Sequence, residues 1–111
     1  MPMRSFAAAI IMIAISLAAY AEPTPDQIAR NLGEMEWHAS VCHLPTAPLE
    51  AALERYIQRT QAGALEAQHL RQEMLAGRAE YERMLGGNMN CDQAASQVTD
   101  IIGKTDRYGL H

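Results

Sequence analysis

Lysine is nearly missing from this chain: Lys104 is the only one in 111 residues. Beyond Arg4 the remaining basic residues are all arginine, and they alternate with glutamate instead of clustering. With Arg4 set aside as part of a leader, eight basic residues face thirteen acidic ones, a net charge of −5. A scattered minority of cations excludes the basic stripe that nucleic acid requires and gives nothing to attract an anionic lipid surface. Serine is scarce too. After residue 21 only Ser40 and Ser96 occur, and neither sits in a Gly-x-Ser-x-Gly elbow. The two cysteines, Cys42 and Cys91, form no Cys-x-x-Cys pair for thiol exchange and no Cys-x-x-Cys-His for haem. Acids such as Glu80 and Glu82 diverge on a helix, so they read as a solvated face. Alternation of strand period, internal repeats and low-complexity tracts are also missing. These gaps argue against an enzyme.

What is present begins with a leader. Arg4 gives a positive start, Phe6 to Leu17 is apolar, and Ala19-Tyr20-Ala21 is a small-x-small cleavage site. The apolar run falls short of the roughly 20 residues that cross a bilayer. Residues 1–21 are therefore predicted as a secretory signal cleaved after Ala21, with an uncleaved anchor as the rival. No cysteine stands near the site to take a lipid. The product, residues 22–111, is one small domain in the periplasm or outside the cell. A domain of that size has a marginal core and gains from a staple. An oxidising compartment lets two cysteines supply it.

Whether they can meet depends on Pro48 to Gly87. Leu49, Leu53, Tyr56, Thr60, Gly63, Ala67, Leu70, Met74, Gly77, Tyr81 and Met84 recur at steps of four and three, a heptad seam. Read as one helix, the stretch is roughly 55 Å long and holds the cysteines apart. Read with a reversal at Ala62-Gly63, it is a hairpin that brings Cys42 and Cys91 to the same end. The weak seam there and glycine's access to a left-handed helix terminus favour the reversal.

The first helix opens on a capping box, Thr24 with Gln27, with Pro25 in the first turn and Asp26 near the positive end of the dipole. Ile28, Leu32, Met35, Ala39 and Cys42 form one apolar stripe, and Trp37, Val41 and Leu44 a second. Pro45 and Pro48 close this helix and open the next, whose buried stripe is Leu49, Ala52, Leu53, Tyr56 and Ile57. A third runs from about Leu65 to Leu85. Its Gly77 costs roughly 1 kcal/mol against alanine and marks a close approach, beneath Trp37 or a tyrosine. Asn90 is expected to cap a fourth helix carrying Cys91, Ala95, Val98 and Ile102 and ending at Gly103. Residues 104–111 are expected to fray. The fold class that follows is all-α: a four-helix up-down bundle with one disulfide.

The chemistry these residues allow is limited. His38 and Cys42 at i, i+4, with Glu34 and His43, have zinc spacing, but a disulfide sulfur is a poor ligand. Glu66-x-x-His69 is half of a di-metal carboxylate site and has no second copy. Met35, Met74, Met84 and Met89 could suit copper(I), though only Met89 lies off a helix stripe. No metal ligand set and no cofactor are assigned. Trp37, His38 and Val41 form a candidate binding surface, against the alternative that Trp37 closes the bundle. Tyr108 to His111 is a candidate docking tail.

Leu32-Gly33, the Trp37-His38 pair before Cys42, Met74-x-x-Gly77-x-x-x-Tyr81 and the later Cys91 together resemble a family of small secreted bacterial proteins of unassigned function. That resemblance covers about residues 28–95, with Met74 where phenylalanine is expected. It implies a helical, disulfide-linked fold and carries no activity. The expected function is non-enzymatic: a periplasmic or secreted protein that binds another protein as adaptor, inhibitor or holdase. The alternative is a periplasmic copper-binding protein.

Overall fold

The computed structural model describes residues 21–87 and 89–110. The leader predicted over residues 1–21 lies outside the described residues, apart from Ala21. Four helices follow: α1 Pro25–Val41, α2 Ala47–Arg59, α3 Ala64–Leu85 and α4 Ala94–Thr105. The protein is an all-α bundle closed by a disulfide between Cys42 and Cys91, whose Cα atoms are 5.5 Å apart.

Local chemistry sets the ends of α1. The Gln27 backbone N–H donates to the Thr24 hydroxyl and the Thr24 N–H donates to the Gln27 side-chain oxygen, each at 3.2 Å. This is the expected capping box, and it satisfies two otherwise orphaned donors. At the far end the His43 backbone turns left-handed, at φ 59°. The Leu44 N–H then reaches the Ala39 carbonyl at 2.8 Å and the His43 N–H reaches Ser40 at 3.2 Å. That pair of bonds is a Schellman closure.

The long heptad seam does break, and α2 and α3 are separate helices. The left-handed residue at the break is Gln61, at φ 56°, and not Gly63. Ala62 and Gln61 donate to the carbonyls of Ile57 and Gln58 at 3.1 Å each, a second Schellman closure. Gly63 sits two residues later in extended backbone, where it leads into α3. The turn thus uses an exposed glutamine that tolerates the steric cost, roughly 1 kcal/mol.

Contacts along the helices fix their directions. Asp26 meets His69, Arg30 meets Glu73, Glu36 meets Arg78, and Trp37 meets the end of α3 at Gly86. The numbers rise together, so α1 and α3 run parallel. Arg55 meets Asp106 and Arg59 meets Tyr108, so α2 and α4 run parallel to each other. The chain goes up, down, up and down, with α1 at the centre. Ile28, Ala29, Leu32 and Ala39 of α1 are buried against Leu49, Leu53, Tyr56 and Ile57 of α2, Leu70 and Met74 of α3, and Val98 of α4.

The parallel pair is the tightest contact. A Cβ on Gly33 would lie 1.9 Å from the Met74 carbonyl oxygen, and one on Gly77 2.4 Å from that of Arg30. Two glycines therefore let the two backbones touch. The approach expected at Gly77 is present, but its partner is the Arg30 backbone, not Trp37 or a tyrosine.

The last helix departs from expectation. Asn90 caps no helix; its Oδ1 accepts from the Asp92 N–H at 2.9 Å in a local turn. The Cys91–Gln93 segment is a turn of its own, and α4 begins at Ala94. Cys91 is thus tied by its sulfur ahead of the helix. The buried face is Ala94, Val98 and Thr105, while Ala95 is exposed. Gly103 does not end the helix, which runs on to Thr105.

The segment expected to fray is pinned through Gly109. The Arg59 guanidinium donates to the carbonyls of Thr105 at 2.7 Å and Tyr108 at 2.8 Å. The Gly109 N–H donates to the Glu22 carboxylate. Arg59 also stacks on the Tyr56 ring. A half-buried arginine whose planar head reaches two carbonyls is suited to close a chain end in this way.

Candidate functional site

The candidate surface of Trp37, His38 and Val41 lies at the disulfide end. Its members do not act as one exposed patch. His38 is only 8 % exposed, and its Nε2 lies 3.2 Å from the Asn90 carbonyl oxygen. Trp37 is half-buried, donates its indole N–H to the Gly86 carbonyl at 3.2 Å, and carries the Arg78 guanidinium over its ring. Val41 is half-buried. Trp37 closes the end of α3 onto α1, and His38 ties the disulfide loop to the same helix. Sequence periodicity put these residues on α1 but gave no sign of what α3 and the loop would lay over them.

The zinc reading of His38, Cys42 and His43 loses its thiolate to the disulfide. Of the methionines proposed for copper, Met74 is buried, Met35 and Met89 are half-buried, and Met84 is exposed on α3. Glu66-x-x-His69 is not assembled as a pair either. The partner of His69 is Asp26 of α1, whose two carboxylate oxygens each lie 3.1 Å from His69 Nε2.

Two grooves flank α1. One of about 310 Å³ opens between α2 and α3 and is lined by Glu36, Glu50, Leu53, Glu54, Arg71, Met74 and Leu75. Its apolar floor is Leu53 and Met74, and Leu75 stands 63 % exposed on its edge. At one side lies a charge that sequence reading missed: Glu36 is 4 % exposed and accepts from Arg78 at 2.6 Å. A carboxylate so buried demands a paired cation. Glu50 lies beside it, and a hydrogen bond with Glu36 raises its carboxyl above the ordinary value. Burial and repulsion by Glu36 add to that rise, and Arg78 opposes it. On the other rim Arg71 grips Glu54 bidentately, at 2.7 and 3.0 Å, which lowers the Glu54 carboxyl.

The second groove, about 400 Å³, runs between α1 and α4. Ile28, Met35, Tyr81, Ile101 and Tyr108 supply its apolar lining, and Asp100 and Lys104 pair across one turn at its edge. Among the described residues no buried side-chain nitrogen or oxygen lacks a partner. No serine, cysteine or histidine lines either groove.

These features define the class: a disulfide-stapled, all-α protein with shallow, charge-rimmed grooves. No family model, no curated protein and no solved structure matches this chain.

Proposed function

We propose that this is an exported, non-enzymatic protein that binds an amphipathic helix of another protein in the groove between α2 and α3. The carrying observation is the groove itself. Leu53 and Met74 offer an apolar floor, Leu75 extends it into solvent, and the rim holds more acid than base. Grooves of this kind take helices through apolar residues at i, i+3, i+4 and i+7. The occupant's flanks are set by charge. Glu50 shares a hydrogen bond with Glu36 on a rim rich in acid, so a lysine or arginine on the incoming helix would meet complementary charge there. The disulfide supports an oxidising compartment. Among the described residues no helix is long and apolar enough to cross a membrane.

The test uses two synthetic amphipathic helices that differ only in having lysine or glutamate beside the apolar stripe. The lysine peptide is expected to bind the purified oxidised protein, more weakly as salt rises, and to lose affinity in Leu75→Asp. Equal binding of both peptides, or binding indifferent to Leu75→Asp, would sink the reading. A copper(I) site built on Met89 and His38 has less support, because His38 is buried against the Asn90 carbonyl.

A further inference from the structure

We propose that Asp26, His69 and Glu73 form a site for a late first-row divalent metal ion, zinc or copper(II), across the seam between α1 and α3. The inference is independent of the groove, since none of the three residues lines it.

The site follows from the topology. Parallel packing of α1 and α3 puts the first turn of α1 beside the second and third turns of α3, toward the end opposite the disulfide. Asp26 comes from α1, while His69 and Glu73 sit one helical turn apart on α3 and so share a face. One ligand atom from each lies within 4.8 Å of the other two. Zinc bonds nitrogen and oxygen at about 2.0–2.2 Å, which places tetrahedral ligands roughly 3.5 Å apart. Closing the difference falls to Asp26 and His69, whose side chains are about half exposed.

The donor set selects the metal class. One imidazole with two carboxylates suits zinc or copper(II). Calcium and magnesium prefer an all-oxygen shell. Three protein ligands leave a position open to water or to a further ligand. The same acids already have partners: Arg30 is bonded to Glu73, and the His69 ring lies against Asp26. Arg30 therefore competes with a metal for Glu73, and its removal should favour the metal.

Zinc titration of the purified oxidised protein by calorimetry tests this. One equivalent is expected to bind. Affinity should fall at least about tenfold in His69→Gln and in Asp26→Asn, the lower bound for losing even an outer-shell partner. It should rise in Arg30→Gln and stay unchanged in His43→Gln. Copper(II) should show the same order, with an imidazole nitrogen coupling in its electron paramagnetic resonance spectrum that disappears in His69→Gln. The four side chains changed are at the surface, and circular dichroism checks that each variant keeps its helices. Absence of binding, or binding that survives His69→Gln, overturns the proposal.

Discussion

His43 and Gln61 carry a cost that a glycine would not. Both hold left-handed backbone, φ 59° and 56°, at the closures of α1 and α2. For a residue with a Cβ this costs roughly 1 kcal/mol, and glycine's extra freedom in the unfolded chain offsets part of the gain. Gln61→Gly is therefore expected to stabilise the protein by about 0.5 kcal/mol, read as a higher midpoint in urea with unchanged slope. Gly63→Ala is expected to be tolerated, since an added Cβ there meets nothing within 4 Å and the backbone is extended. Loss of stability in Gln61→Gly would show that the side chain, not the backbone, holds the turn. His69 supports a second prediction. Its hydrogen bond and attraction to Asp26 raise its pKa above the ordinary 6.5, with desolvation opposing slightly. A raised histidine stabilises when protonated. Its contribution is complete below about 6.5 and disappears as pH climbs through the folded value. Proton NMR titration in the presence of a chelator should place His69 above 6.5, and Asp26→Asn should bring it back down. A His69 titration unmoved by Asp26→Asn would mean the pair does not persist in solution.

The elements owe their arrangement to two glycines that amphipathic reading undervalues. Gly33 and Gly77 contribute no hydrophobic signal, yet each lies where a methyl would strike the facing backbone. Backbone cannot move aside as a flexible side chain can. Gly77→Ala and Gly33→Ala are each expected to destabilise by about 3 kcal/mol or more, the upper range of overpacking, although alanine is the better helix former by roughly 1 kcal/mol. Thermal unfolding measures the outcome, and Trp37 fluorescence reports its cause, since the single indole binds the end of α3 at Gly86. A stabilised Gly77→Ala would show that α1 and α3 are not in contact. Legibility at this scale is uneven for a physical reason. Caps, stripes and the break at residues 60–63 are local, and local chemistry is visible in sequence. The direction in which α3 returns beside α1 is not local. Consequently the buried Glu36–Arg78 pair, the Asp26–His69 contact and the burial of His38 under Asn90 could not be read from periodicity. Asn90 shows the converse: a residue with good capping chemistry spent it on a two-residue turn instead.

At the scale of the whole molecule, α1 is enclosed by three helices, and the connections at its two ends decide whether they stay. One end is tied by side chains: Arg59 holds the carbonyls of Thr105 and Tyr108, and Glu22 holds Gly109. The other is tied by covalent chemistry. The Cys42–Cys91 bond closes a loop across a sequence separation of 49, which encloses all of α2 and α3. Chain entropy assigns such a loop about 4 kcal/mol of stabilisation, exerted on the unfolded state. That is a large share of the 5–15 kcal/mol typical of a folded domain. The expected order of loss follows. Cys42→Ser with Cys91→Ser should lower stability by about 4 kcal/mol, and helix content at low temperature should survive because α1 and α3 still pack through Gly33 and Gly77. Adding Gly77→Ala to the disulfide-free protein should then unfold it, since the two losses together approach the whole stability. Denaturant melts of the single, double and triple variants, followed by circular dichroism, resolve the sequence. A disulfide-free protein as stable as the parent would mean that the α1–α3 seam alone carries the fold and that the sulfur bond has another purpose.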